Sequence, residues 1–154
     1  MSDYAAYRQQ MSKEATEYED FVFDLLRQNG LTVTRYVSQK WQRKGECSGG
    51  IEVKYDRRFV ETTNLYIETA EKARPRAGSY APSGIYREDN SWLYVIGDYE
   101  TVFIFGKQLL RLVDGLIPEN SARRVQTETS QGFLLTPDEQ RRYAEKVIEA
   151  GGRV

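Results

Sequence analysis

Between Gly50 and Lys72 the chain reads Gly-Ile-Glu-Val-Lys-Tyr-Asp, a short connection, then Asn-Leu-Tyr-Ile-Glu-Thr-Ala-Glu-Lys. In a β-strand successive side chains point to opposite faces, so this alternation constrains the fold. Ile51, Val53 and Tyr55 take one face of the first strand; Glu52, Lys54 and Asp56 take the other. In the second strand Leu65 and Ile67 face one way, while Tyr66, Glu68 and Ala70 face the other. If the two strands are neighbours, three carboxylates and one ammonium share a face. Such a set can hold a divalent cation and activate water.

The remaining chain supplies a frame for those strands. A helix is expected from Ser12, which can cap it, to Gly30, with Tyr18, Phe21, Val22, Leu25 and Leu26 at helical spacing. Residues 2–10 read as a frayed arm or short helix. Glu19 sits at the margin of the apolar stripe, where an ordinary solvated glutamate is also expected. A first strand is expected over 31–37, a basic stretch with Trp41 over 38–46, and a turn over 47–50. Strands at 51–56 and 65–69 come next, then a Pro- and Gly-containing loop over 74–82 and a helical turn over 83–90. The nearly continuous apolar runs 91–96 and 101–105 suit central strands covered on both faces. A helix over 107–113, a loop over 118–124 and a strand over 132–135 complete the middle. Thr136-Pro137-Asp138-Glu139 reads as a helix start: Thr as cap, Pro at the first helical position, Glu three after the cap. That last helix is expected to reach about Ala150.

The result is an α/β (α+β) arrangement, with a mixed central sheet of about five strands flanked by helices. At 154 residues a single domain is the default. No apolar run is long enough to span a bilayer and the N-terminus is polar and acidic, so a cytoplasmic protein is expected. A single cysteine, Cys47, leaves no internal disulfide and no thiolate metal site. The absence of histidine removes His-based triads, His-ligated zinc and HNH-type chemistry, so a general base has to be Asp, Glu, Lys, Tyr or water on a metal.

The net charge of −1 conceals a bias. Residues 35–76 hold ten Lys/Arg and six Asp/Glu, so the remainder of the chain carries the negative excess. A basic field around an acidic cluster suits a polyanionic substrate, although a mixed solvated surface gives the same count.

Several of these features recur in one order. A helix carries Tyr18-Glu19-Asp20-Phe21-Val22; a strand Glu52-Val53-Lys54-Tyr55-Asp56 ends on an acid; twelve residues on comes Leu65-Tyr66-Ile67-Glu68. Ser83-Gly84-Ile85 follows, then Trp92-Leu93-Tyr94-Val95 and Phe103-Ile104-Phe105. This set, over about residues 13–113, resembles the PD-(D/E)xK nuclease superfamily and its restriction-endonuclease-like fold. The strand and helix within 125–150 would complete one nuclease-like domain spanning 1–154.

The resemblance implies a Mg²⁺-dependent (endo)deoxyribonuclease, with Mn²⁺ able to substitute. Asp56 and Glu68 would bind the metal directly. Glu52 and Glu19 would help through a second ion or waters, and Lys54 would act on the nucleophile. Mg²⁺ needs few carboxylates, because it keeps several waters. The chain departs from the family where acid-x-lysine should end, since Ala70 stands two after Glu68. Lys54 or Lys72 would then supply the ammonium. A second register takes Glu46 as first acid and Glu52-Val53-Lys54 as acid-x-lysine.

Arg57, Arg58, Lys72, Lys44 and Arg43 are the expected nucleic-acid contacts. The partner would be DNA, with RNA, a homodimer or a protein partner also allowed. A catalytically inactive module of the same fold, binding nucleic acid or protein, is the alternative that Ala70 favours. Arg57→Ala and Arg58→Ala are expected to weaken DNA binding with little change in melting temperature. Fluorescence anisotropy at low salt tests this, and unchanged affinity would remove both arginines from the interface.

Overall fold

The computed structural model describes residues 3–31, 50–76 and 78–152. The strand expected at 31–37 therefore lies outside the described residues almost entirely, as do the basic stretch over 38–46 and Cys47.

Helix α1 (Asp3–Gln28) contains neither Gly nor Pro and runs unbroken through the position expected to cap it. Ser12 is internal, its carbonyl accepting a hydrogen bond from the Thr16 hydroxyl. The helix ends as expected at Gly30, whose φ of +79° is left-handed backbone that costs glycine little. Tyr18, Val22 and Leu26 are fully buried, one side chain per turn.

Among the described residues two four-stranded sheets stand in place of the single sheet of about five strands. The first joins β1 (Ile51–Tyr55), β4 (Leu93–Gly97), β5 (Thr101–Gly106) and β8 (Lys146–Glu149) in that order. Its β1–β4 pair is parallel and its other pairs antiparallel. The second sheet has the order β3 (Ala81–Pro82), β2 (Leu65–Glu71), β7 (Ser130–Leu135), β6 (Arg124–Gln126), all antiparallel. Short helices α2 (Phe59–Thr62) and α4 (Pro137–Tyr143), the longer α3 (Lys107–Leu116) and a 3₁₀ turn at Gly84–Tyr86 make the connections.

The difference arises at the C-terminal end. Arg124–Gln126 is too short and polar to stand out as a strand until it pairs with β7. Lys146–Glu149 has a helix-compatible composition, yet α4 stops at Tyr143 and the segment pairs with β5 instead. Val147 and Ile148, β-branched residues that suit a strand, then bury on opposite faces.

The alternation read from the sequence is realised. Ile51, Val53 and Tyr55 pack with α1 on one face of the first sheet, together with Val95, Val102 and Ile104. Tyr94, Ile96, Phe103 and Phe105 leave the other face and join Leu65, Ile67, Phe133, Leu135 and the α3 residues Leu110 and Val113 in a second core. Strands β4 and β5 are thus central and covered on both faces, as their apolar runs require. Tyr18 fixes α1: its ring stacks on Tyr55 at 4.7 Å and its hydroxyl donates to the Asp98 carbonyl at 3.0 Å.

The helix start at Thr136 forms a full capping box. The Thr136 hydroxyl accepts from the Glu139 N–H, and the Glu139 carboxylate accepts from the Thr136 N–H. Burial pushes the Glu139 carboxyl up, but Thr136 and the Arg123 guanidinium outweigh it and hold it below its ordinary value. The stabilisation is therefore fully present above pH 4.5 and fades as pH falls through the lower, folded value. Thr136→Ala should cost about 1 kcal/mol in urea unfolding at pH 7. Glu139→Gln should flatten the acid limb of the melting-temperature profile; an unaltered limb would remove Glu139 from that role.

Candidate functional site

Strands β1 and β2 belong to different sheets and share no ladder, so the acidic face is not built as two paired strands. Side chains join them instead. The Asp56 carboxylate accepts the Tyr66 N–H of β2 at 2.8 Å, and the Arg58 N–H at 3.1 Å. The Asp56 carboxylate stands where a neighbouring strand would otherwise satisfy part of the β2 edge.

With β2 so placed, Lys54 lies between two carboxylates. Its Nζ is 3.6 Å from Glu52 Oε1 and 3.5 Å from Glu68 Oε2. The Ser83 hydroxyl donates to the same Glu68 oxygen at 3.0 Å. Burial alone would lower the Lys54 ammonium, but the charges of Glu68 and then Glu52 reverse this and hold it above its ordinary value. Lys54 is thus a permanent cation at neutral pH, suited to steadying negative charge and unsuited to accepting a proton.

Behind Glu52 stands a cation that sequence reading missed. Lys107, the first residue of α3, is almost wholly buried, with Nζ 2.7 Å from Glu52 Oε2, 3.4 Å from Asp89 Oδ1 and 2.5 Å from Ser91 Oγ. The contacts to Glu52 are ion pairs without hydrogen-bond angles, and neither Glu52 oxygen has a hydrogen-bonding donor among the described residues. Charges therefore alternate along one line: Asp89, Lys107, Glu52, Lys54, Glu68. A positive charge at a helix N-terminus opposes the macrodipole, so the two carboxylates are what hold Lys107 there. The signal was present in the sequence, because continuing the alternation Phe103, Phe105 leads to Lys107 on the inward face.

Two features shape the backbone at Glu68. The β2–β7 register shifts between Glu68 and Ala70, a bulge of the kind that re-aims side chains. It changes the facing of the residues after Glu68, so a count of two from the glutamate does not locate its ammonium partner. Gly84, with φ of +56°, sits against this backbone; a Cβ there would lie 2.2 Å from the Glu68 carbonyl oxygen.

Asp56, Glu68 and Lys54 line one cleft of about 480 Å³, with Arg57, Arg58 and Tyr66. Glu52 is only 2% exposed and is held behind Lys54. Burial pushes the Asp56 carboxyl up, against the lowering by the Tyr66 and Arg58 N–H groups. Glu19, half-buried on α1, is not part of the cleft lining. Arg57 turns to α1, with Nε 2.8 Å from Glu14 Oε2. Arg58 is exposed, and Lys72 lies with Nζ 4.5 Å from the Tyr80 ring centroid. Arg43, Lys44 and Glu46 lie outside the described residues.

Among the described residues no group of three or more carboxylates converges on one point that could hold a metal ion. The expected set of Asp56, Glu68 and Glu52 is thus not assembled: Lys54 and Lys107 take up Glu52. Asp56 and Glu68 remain on the cleft wall. Both are hard-oxygen donors, the ligand type that Mg²⁺ takes, commonly one or two carboxylates with waters and substrate phosphate. No helix among the described residues is long and apolar enough to cross a membrane. Comparison of the chain with protein-family models, with curated proteins and with solved structures returned no match.

Removing one member of a buried ion pair leaves the other uncompensated. Lys107→Met should therefore destabilise the fold by about 3–5 kcal/mol in urea unfolding. Adding Glu52→Gln should recover part of that loss. A neutral Lys107→Met would mean that Glu52 does not rely on it.

Proposed function

We propose that the chain is a Mg²⁺-dependent nuclease of the PD-(D/E)xK type, cleaving DNA phosphodiester bonds in the cleft between the two sheets. The observation that carries this reading is that Asp56, Glu68 and Lys54 line one cleft, with Lys54 within ion-pair distance of Glu68. These are the residues that the family resemblance assigns to metal binding and to the nucleophile.

Asp56 and Glu68 would hold the ion. When bound, it polarises a phosphoryl oxygen and lowers the pKa of water. The protein's own groups act around it. Lys54, kept protonated by its two carboxylate neighbours, presents a fixed positive charge to the oxygen on which charge develops. Glu52 and Lys107 position that ammonium from behind. Ser83 and Gly84 hold Glu68 in place through its side chain and its backbone. Arg58, exposed at the cleft, draws the phosphate backbone in and adds a salt-sensitive component to affinity.

A second reading has one specific observation in its favour. Lys54 already stands within ion-pair distance of Glu68, so an internal cation partly neutralises a proposed metal ligand. In a non-catalytic relative the same cleft would bind nucleic acid without cutting it.

A cleavage assay on plasmid and linear DNA with Mg²⁺ or Mn²⁺ separates the two. The nuclease reading expects chelator-sensitive cleavage, lost by at least a hundredfold in Glu68→Ala and in Asp56→Asn. It expects about a hundredfold reduction in Lys54→Met with binding retained, on the scale of removing one oxyanion-stabilising group. DNA binding without cleavage under either metal would favour the non-catalytic module.

A further inference from the structure

A second cleft of about 380 Å³ adjoins the first, and Glu68 lines both. One hydrogen bond links their walls: the Tyr66 hydroxyl, from the first, is 2.7 Å from Ser130 Oγ, from the second. On its far side the second cleft is bounded by the opening turns of α1, with Tyr4, Tyr7 and Arg8, and by Lys72.

Those turns are unusual for a surface helix. Tyr4 and Tyr7 are 37% and 57% exposed, and their rings stack on each other, with centroids 6.5 Å apart and planes 25° apart. Neither joins either hydrophobic core. The Arg8 guanidinium ties this end of α1 to the end of β2 by donating to the Ala73 carbonyl at 3.3 Å, and Arg57 ties the next turn to the exit of β1 through Glu14. The tyrosine pair is thus held at a fixed place beside the cleft.

We infer that this second cleft is a subsite for a single-stranded DNA segment, whose bases stack on Tyr4 and Tyr7 while its backbone passes Lys72 toward Glu68. The inference rests on the nuclease reading for what happens at Glu68, but not for the binding itself. Aromatic faces with cations alongside form the platform on which single strands are held without sequence preference, since every base has a π face. A duplex keeps its bases inside its own stack and cannot offer them to exposed rings on a helix. Glu68, at 17% side-chain exposure, also lies below the surface, within reach of a flexible strand more readily than of a rigid cylinder. The carboxylates of Glu68 and Glu71 in the lining make the subsite dependent on stacking rather than on charge alone.

The test uses the full chain without divalent metal, a fluorescently labelled single-stranded DNA 20-mer of mixed sequence, and the same oligonucleotide as a duplex. Anisotropy at low salt should show the single strand bound at least tenfold more tightly than the duplex. Tyr7→Ala should weaken single-strand binding by about tenfold, the scale of one lost base–aromatic stack, and Tyr7→Phe should restore it. Tyr4→Ala, at the helix start, should act in the same direction. Both tyrosines are exposed, so unchanged melting temperatures are expected and confirm that the variants are folded. Equal affinity for the two DNA forms, or Tyr7→Ala binding as the parent does, would overturn the subsite. A cleavage assay then separates the two proposals. Tyrosine-dependent binding without metal-dependent cutting keeps the subsite and removes the nuclease; cutting of single strand and duplex alike, indifferent to Tyr7, removes the subsite alone.

Discussion

An ammonium between two carboxylates ties the two sheets together beside the cleft. Lys54 comes from the first sheet, Glu68 from the second, and no backbone ladder joins their strands. What a hydrogen-bonded pair of strands would otherwise fix is fixed by charge. The arrangement tolerates little loss, because Glu52 is held at the same time by Lys107 from behind. Each member of the line from Asp89 to Glu68 has an opposite charge beside it, which makes a run of ionised groups tolerable away from bulk water.

Where β3 does not cover β2, a side chain takes the place of a strand: Asp56 accepts the Tyr66 N–H. That contact leaves space that continuous pairing would fill. That space is the cleft. Asp56 therefore has a structural duty to β2 and a position on the cleft wall together. The bulge after Glu68 and the close approach of Gly84 set where the second carboxylate stands.

Most of the local structure was legible in the chain. The alternation at 51–56 and 65–68 assigned faces that the fold keeps, and the runs 91–96 and 101–105 gave two central strands. Thr136, Pro137 and Glu139 announced their capping box. What could not be read was pairing. Nothing local in Lys146–Glu149 says that β5 has an unfilled edge, and nothing in Glu52-Val53-Lys54 says that its neighbour is parallel β4 rather than β2. The partner of Glu52 depends on pairing too. Periodicity puts Glu52 on the charged face and Lys107 on the inward one, but does not say that the two meet. Glu19 shows the reverse case: its place in a family-like order suggested a role, while its position on α1 leaves it outside the cleft lining.

The proposed ion has two protein ligands, Asp56 and Glu68, and Lys54 serves as a fixed charge rather than a base. A crystal of the full chain soaked with Mn²⁺, read by anomalous scattering, tests that claim most directly. The account predicts a peak in the cleft in contact with Asp56 and Glu68, with Lys54 still beside Glu52. A cleft without a peak, or an ion on Glu52 with Lys107 displaced, would contradict it.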